Sequence, residues 1–266
     1  MVGDNEQAWW TVHRGASPVV GTAIHDGHGV RAELLAKMAL DARERLREED
    51  PFTGETITGL ANRIVFHRSR FEVDLNRARD GAVYLRPEQA WGLEVWRTPP
   101  SDAEVAETLL LHDAYYAMLE NHLRGVEAQH GRFVLLDIHS YNHRRAGPAA
   151  PPAEAAAAPD INIGTASMDR TRWAPVVDAF MAHAADFDFL GRKLDVRENV
   201  AFQGRGEQTR FIHERFPESG CAIAVEFKKF FMDEWTGTPN RHAVAAMRSL
   251  LTGSVPVLER ALREVA

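Results

Sequence analysis

Apolar runs of strand length alternate with amphipathic stretches of helix length along this chain. The apolar runs are residues 18–24, 64–66, 133–138 and 222–227, and the helical stretches are residues 31–47, 101–129, 173–185 and 241–265. This alternation predicts an α/β fold with a mixed, mainly parallel sheet and helices on both faces. We also expect residues 71–77 to form a short strand, because Val73 and Leu75 alternate with polar neighbours.

Length and composition favour one domain. The chain has 266 residues, 45% of them hydrophobic, which is enough to build a substantial core. We therefore expect a single α/β domain over residues 1–266. The Ala/Pro-rich residues 146–160 depart from the pattern, and we expect them to form a mobile excursion from the domain.

Net charge and cysteine content indicate which binding partners and which cellular compartment to expect. The formal net charge of -7 and a pI near 6.0 argue against nucleic acid or an anionic membrane as the main partner. The single cysteine, Cys221, excludes an intramolecular disulfide and fits a reducing compartment. Residues 1–6 lack the basic start and apolar stretch of a signal peptide, so we expect a soluble cytoplasmic protein.

Histidines follow two of the predicted strands. His25 and His28 come directly after residues 18–24, and His139 and Ser140 come directly after residues 133–138. Ligands of open α/β sheets bind at the carboxyl ends of the strands, so these side chains are expected to share one crevice. Two imidazoles at a strand-to-helix turn suit a metal ion, and capping of the turn explains them equally well. A carboxylate from residues 48–50 is a candidate third metal ligand.

Other polar residues at strand ends suggest a small anionic ligand. Asn76 and Arg77 end the predicted strand 71–77, and a guanidinium binds a carboxylate through two hydrogen bonds. A surface salt bridge is the simpler explanation of these two residues alone. Glu226 interrupts the apolar run 222–227, which is costly for a charge unless a cation or an open cleft receives it. The extended residues 195–202 lead into a glycine-rich turn, residues 203–207, that could lie against a small ligand.

Together these motifs resemble the N-formylglutamate amidohydrolase family, whose fold is similar to that of zinc carboxypeptidases and aspartoacylase-like deacylases. The motifs that carry the resemblance are residues 24–27, the acid Asp50, residues 69–77, residues 137–140, and residues 225–227 followed by residues 231–234. The resemblance extends from about residue 18 to residue 235. It implies a zinc-exopeptidase or phosphorylase/hydrolase-like fold and hydrolysis of a small anionic N-acyl amino acid such as N-formylglutamate.

The resemblance also implies a metal site. It implies one zinc ion, or another divalent metal, held by His25, His139 and an acid that Asp50 matches most nearly. His28 competes with Asp50 for the third position, because it stands three residues after His25 as in the carboxypeptidase-like pair. Glu49 is a further alternative.

The remaining implied roles belong to catalysis and substrate binding. Glu226 would be the general base and Arg70 would stabilise the oxyanion. The substrate contacts we expect are Asn76, Arg77, Ser140, Asn199 and Gly204. Two other functions stay open at this point: a carboxypeptidase-like or other deacylase, and a relative that binds a carboxylate without catalysis.

Overall fold

The computed structural model describes residues 8–265, and within them seven strands form one sheet. The strands are β1 (Trp10–His13), β2 (Val19–Ala23), β3 (Asn62–Phe66), β4 (Phe133–Tyr141), β5 (Ile161–Gly164), β6 (Val196–Glu198) and β7 (Gly220–Lys228). Residues 1–6, from which the lack of a signal peptide was argued, lie outside the described residues.

The sheet is mixed and mainly parallel, as predicted. Its strand order is β1-β3-β2-β4-β7-β5-β6. The four central strands β3, β2, β4 and β7 run parallel, and β6 is parallel to β5. Strands β1 and β5 run antiparallel to β3 and β7. The predicted fold class is therefore confirmed.

Seven α-helices surround the sheet within the described chain. They are α1 (Ala32–Leu35), α2 (Ala42–Glu48), α3 (Thr53–Thr56), α4 (Asp102–His130), α5 (Ala174–Asp186), α6 (Glu207–Arg215) and α7 (Arg241–Ala261). Helix α4 begins where the sequence predicts, because Ser101 and Glu104 form a capping box at its start. None of the helices among residues 8–265 is both long enough and apolar enough to cross a bilayer.

Helices cover both faces of the sheet, and β4 shows why. Successive side chains of a strand point to opposite faces, and all nine residues of β4 are buried. Leu136 and Ile138 belong to the apolar cluster that contains α5 and α7. Phe133 and Leu135 belong to the cluster that contains α4 and α6. Strand β4 therefore lies at the centre of the core. Packing of helices on both faces of the sheet fixes the position of its carboxyl end.

The helix predicted over residues 31–47 is two helices in the structure. Between α1 and α2, the N–H of Ala39 donates to the carbonyl of Val95, and Met38 forms a β-bridge with Trp96. Asp41 then caps α2 and accepts from two backbone N–H groups of its first turn. The apolar residues keep a helical spacing through residues 31–47, so the sequence predicts one helix. The backbone contacts with residues 95–97 and the N-cap at Asp41 divide it into two.

The strand predicted over residues 71–77 is also wrong, because these residues form turns. The N–H groups of Glu72 and Val73 both donate to the carbonyl of Ser69. Val73 and its polar neighbours Glu72 and Asp74 are all fully buried. The alternation of apolar and polar residues here therefore does not mark a strand with one buried and one exposed face. Asn76 and Arg77 nevertheless come close to the carboxyl end of β2, because Asp74 in the same turn contacts His25 just beyond that strand.

The sequence did not reveal the outer strand β1 or the short helix α6. Strand β1 adds an antiparallel edge beside β3, and α6 follows directly after the glycine-rich turn. Residues 142–160, between β4 and β5, contain neither helix nor strand. The mobility of residues 146–160 and the single-domain organisation stay predictions.

Candidate metal centre and its cavity

The topology brings the two predicted metal-binding histidines together. Strands β2 and β4 are adjacent and parallel. The chain goes from β2 to β3 on one side of this pair, and all the strands that follow β4 in sequence, β5, β6 and β7, lie on the other side. Such a reversal of strand order leaves a crevice at the carboxyl ends, where ligands of α/β sheets bind. His25 lies just beyond the end of β2, and His139 lies within β4, two residues before its end.

His25, Asp50 and His139 form a compact buried group. Asp50 Oδ2 lies 3.3 Å from His25 Nδ1 and 3.1 Å from His139 Nδ1, and the two Nδ1 atoms are 3.2 Å apart. One ligand atom from each residue lies within 4.8 Å of the others, a spacing that could hold a metal ion. The backbone N–H of Asp50 donates to the carbonyl of His25 at 2.9 Å, which fixes the acid beside the first histidine.

A second carboxylate faces the other ring nitrogen of each histidine. His25 Nε2 is 2.7 Å from Asp74 Oδ1, and His139 Nε2 is 3.1 Å from Asp137 Oδ2. The contact between His139 and Asp137 has the distance of an ion pair, but its angles are not those of a hydrogen bond. A carboxylate at Nε2 favours a proton there, which leaves the lone pair on Nδ1. Two imidazole lone pairs and the Asp50 carboxylate then converge, and this N₂O donor set fits Zn²⁺.

The electrostatics of this group also favour a positive charge. Burial by itself would raise the pKa of Asp50, but hydrogen bonds from His139 and His25, when their rings are protonated on Nδ1, lower it well below its usual value. Burial by itself would lower the pKa of His139, but Asp137 and Asp50 raise it well above its usual value. The arrangement therefore stabilises an ionised carboxylate and positive charge between it and the imidazoles.

Asp74 connects the candidate metal group, His25, Asp50 and His139, to Arg70 and Asn76. Besides His25, its carboxylate accepts hydrogen bonds from Arg70 Nη2 at 2.8 Å, from the Asn76 backbone N–H at 2.8 Å and from the Tyr84 hydroxyl. Burial would raise the pKa of Asp74, but Arg70 and His25 lower it well below the usual value. Arg70 is consequently held beside the metal group by a carboxylate that stays ionised.

A cavity of about 390 Å³ opens over this group. Glu226 lines it and pairs in register with His139 on the adjacent strand β7. No hydrogen bond or ion pair joins the Glu226 carboxyl to another side chain among residues 8–265. Burial raises the pKa of Glu226 from 4.5 to about 7, so its protonation changes near neutral pH. That is the range in which a carboxylate is an effective general base.

Comparison with known proteins assigns this site to a family. A profile of the N-formylglutamate amidohydrolase family matches residues 17–232. The chain belongs to this family. The match includes every predicted metal ligand, so the resemblance inferred from the sequence motifs is confirmed, and it supports an amidohydrolase activity.

Solved structures support the fold. An N-formylglutamate amidohydrolase from Ralstonia eutropha JMP134 matches with a TM-score of 0.70 and 17% identity, over 96% of this chain and 97% of that one. A protein from Agrobacterium tumefaciens matches with a TM-score of 0.57 and 17% identity, over 96% and 95% of the two chains. No curated protein sequence matches the chain closely enough to count as a relative.

Most of the site residues expected from the N-formylglutamate amidohydrolase motifs line one cavity. They are His25, Asp50, Arg70, Asn76, Arg77, His139, Ser140, Gly204 and Glu226. Ser140 Oγ donates to Asp50 Oδ1 at 3.2 Å, so it contacts the metal group as well as the cavity. Gly204 has a φ of +70°, and a Cβ there would lie 2.3 Å from the backbone of Gly164. A glycine is therefore required where the turn meets β5.

Three of the candidates lie outside this cavity. His28 Nδ1 is 2.6 Å from Glu49 Oε2, and the other oxygen of Glu49 accepts from Ser69, so these two residues bind each other and not the metal group. Asp50 is therefore the acid that the fold brings to the histidines. Asn199 also lies apart from the cavity, because its side-chain amide bonds to the backbone N–H and hydroxyl of Thr165.

The sequence motifs did not reveal several residues of the site. Asp74 and Asp137 stand inside the quoted motifs, and their placement next to the histidine rings became visible only in the structure. The spacing of Asp137 and His139 was a usable signal, since residues two apart on a strand share a face. The other lining residues without an assigned role are Glu48, Trp91, Tyr141, Asn142, Arg145, Phe202, Gln203, Arg205, Gly206, Thr209, Ala224 and Lys229.

Proposed function

We propose that this protein is a zinc-dependent amidohydrolase that cleaves N-formyl-L-glutamate, or a similar small N-acyl amino acid, into the carboxylic acid and the free amino acid. The observation that carries the proposal is the convergence of His25 Nδ1, His139 Nδ1 and Asp50 Oδ2 beneath a cavity that Glu226 also lines. Family membership supports the amide as the bond that is cleaved.

In the proposed mechanism, His25, Asp50 and His139 would hold one zinc ion. Zinc in such a site lowers the pKa of water towards neutrality and polarises a carbonyl group. Glu226 takes a proton from the attacking water and later gives it to the leaving amine. The position of Glu226 beside His139, and its pKa of about 7, support this role.

Arg70 is the proposed stabiliser of the oxyanion. Its guanidinium is bound to Asp74 and to the carbonyl of Glu48 at 3.3 Å, so it is held rigidly. Its Nε has no hydrogen-bond partner within the described residues. A fixed guanidinium at the cavity wall can stabilise negative charge that develops on the carbonyl oxygen, at no cost of reorganisation.

Arg77 and Asn76 are the proposed clasp for a substrate carboxylate. Arg77 is half exposed, and its nearest acid, Asp74, is 4.0 Å away and already bonded to other donors. Arg205 also lines the cavity and has no ion pair in the described part of the chain. N-formylglutamate carries two carboxylates, and these two arginines offer two guanidinium groups that are not neutralised by close acids.

The direct test is release of formate and glutamate from N-formyl-L-glutamate by purified protein, before and after chelator treatment and after readdition of Zn²⁺. We expect turnover that the chelator abolishes and that zinc restores. A short peptide with a free carboxyl terminus is the comparison substrate. Faster release of the terminal residue from that peptide would replace the proposed activity with a carboxypeptidase activity.

A further inference from the structure

A fully buried chain of polar side chains leads from helix α4 through helix α6 to the metal group. The Tyr115 hydroxyl donates to Gln208 Oε1 at 2.6 Å. Gln208 Nε2 donates to Asp137 Oδ1 at 2.6 Å and to Thr22 Oγ1 at 2.8 Å. Asp137 Oδ2 lies 3.1 Å from Nε2 of His139. The side chains of Tyr115, Gln208 and Thr22 are completely shielded from solvent.

The hydrogen bonds of this chain decide which oxygen of Asp137 faces the histidine. Gln208 uses both amide hydrogens, one on Asp137 Oδ1 and one on Thr22 Oγ1, and the Thr22 hydroxyl also donates to Asp137 Oδ1 at 3.1 Å. Oδ1 therefore accepts two bonds, while Oδ2 accepts none within residues 8–265. Asp137 Oδ2 is therefore the oxygen that faces His139 Nε2.

Tyr115 fixes the orientation of the Gln208 amide. Burial raises the pKa of Tyr115 well above its usual value, so its hydroxyl remains a donor and requires Gln208 Oε1 on its side. The amide nitrogen must then face Asp137. A flipped amide would place two acceptors 2.6 Å apart, which is strongly unfavourable in a buried site.

We propose that Gln208 is a positioning residue for the metal site: it holds the Asp137 carboxylate so that His139 presents Nδ1 to the ion. This inference rests on the zinc site of the proposed function and adds a residue outside the cavity to it. The other histidine has a parallel arrangement, because the Asp74 carboxylate beside His25 is held by Arg70, Tyr84 and a backbone N–H. Partners of this kind fix ring orientation and raise metal affinity.

The network is not needed for packing alone. Replacing a buried polar network by apolar side chains of similar volume is often neutral or stabilising. Gln208 lies in the first turn of α6, two residues after Gly206, where a Cβ would lie only 2.0 Å from Asn76 Oδ1. Residues 203–208 thus contain both the turn that lines the cavity and the Gln208 amide that orients Asp137.

The test uses the whole chain with two substitutions of Gln208 and one matched control. Gln208→Leu removes the donor, and Gln208→Glu keeps shape and the contact with Tyr115 but replaces the donor with an acceptor. Phe216→Leu, at the end of the same helix, removes buried apolar volume that packs on Phe133 without touching the polar chain. The readouts are zinc affinity by chelator competition, the visible spectrum of the Co²⁺-substituted protein, thermal stability without metal, and formate release.

We expect both Gln208 variants to bind zinc about 10–100-fold more weakly, with an altered cobalt spectrum and a lower kcat at nearly unchanged KM. Phe216→Leu should lower the melting temperature and keep zinc affinity within about twofold. Unchanged zinc affinity and cobalt spectrum in both folded Gln208 variants would overturn the inference, and so would an equal loss of affinity in Phe216→Leu. If the variants lose metal as expected but wild type releases no formate, the proposed substrate is wrong and the inference stands.

Discussion

Replacing Glu226 with glutamine is expected to change activity and stability in opposite directions. The carboxyl group makes no hydrogen bond or ion pair within residues 8–265, so the substitution breaks no contact there. Loss of the base should lower kcat by about 10²–10⁴-fold. Metal binding should persist, because Glu226 is not one of the three converging ligands.

The stability effect follows from the pKa of the same group. Burial raises the pKa of Glu226 from 4.5 to about 7, so ionisation of the folded protein costs up to ~3 kcal/mol. Since the side chain faces an open cavity, we expect about half of this cost to be measurable. The cost is fully present above about pH 7 and is absent below about pH 4.5, where the carboxyl is protonated in both states. Glu226→Gln should therefore stabilise the metal-free protein by about 1–2 kcal/mol at pH ~8 and have little effect at pH ~4.

The assay is formate release by zinc-loaded protein together with chemical unfolding of metal-free protein at the two pH values. Glu234→Gln is the control for stability: Glu234 is buried but accepts the backbone N–H groups of His143 and Arg144, both at 2.8 Å. Burial by itself would raise the pKa of Glu234, but the His143 side chain and these two backbone hydrogen bonds lower it, so the control should destabilise the protein. If Glu226→Gln carries zinc and retains turnover within tenfold of wild type, the general-base assignment is refuted.

Three further predictions address the ligands, the substrate clasp and pH. Asp50→Ala should lose bound zinc, whereas His28→Ala should keep it, as measured by metal analysis after dialysis; the reverse order would show that His28 is the ligand. Arg77→Ala should raise KM for N-formylglutamate at least tenfold, whereas Arg79→Ala, which breaks only an exposed pair, should leave steady-state kinetics unchanged; equal losses for a neutral substrate analogue would contradict the clasp. His213 Nε2 accepts the Ala222 N–H, and burial lowers the pKa of His213 to about 4, so this residue contributes stability above pH ~6.5 that is lost as the pH falls towards 4. Denaturant unfolding should show a loss of about 1–3 kcal/mol between pH ~7 and pH ~4.5 that His213→Gln reduces, and an unchanged pH slope in that variant would contradict the assignment.

The central strands and long helices were predictable because their signals are local. An apolar run such as Val19–Ala23 is too hydrophobic to lie anywhere but in the core, and the capping box at Ser101 marks a helix start by itself. The histidines at the ends of two such runs were predictable for the same reason, since parallel strands end at one edge.

The turn over residues 71–77 was not predictable from periodicity. Its polar residues are buried and bonded to distant groups: Glu72 to Arg31 and Asp74 to His25. Buried ion pairs of this kind imitate the alternation of a half-exposed strand, and only the partners reveal the difference. The same applies to Gln208, whose role depends on contacts with three other elements.

Titration of the metal-free protein with Zn²⁺ at neutral pH tests the central claim most directly. We expect wild type to bind one ion per chain tightly, and His25→Ala and His139→Ala each to lose this binding, because each removes one of three converging ligands. Wild-type protein that takes up no zinc at micromolar concentration, or a His25→Ala/His139→Ala double variant that binds it as tightly as wild type, would contradict the account.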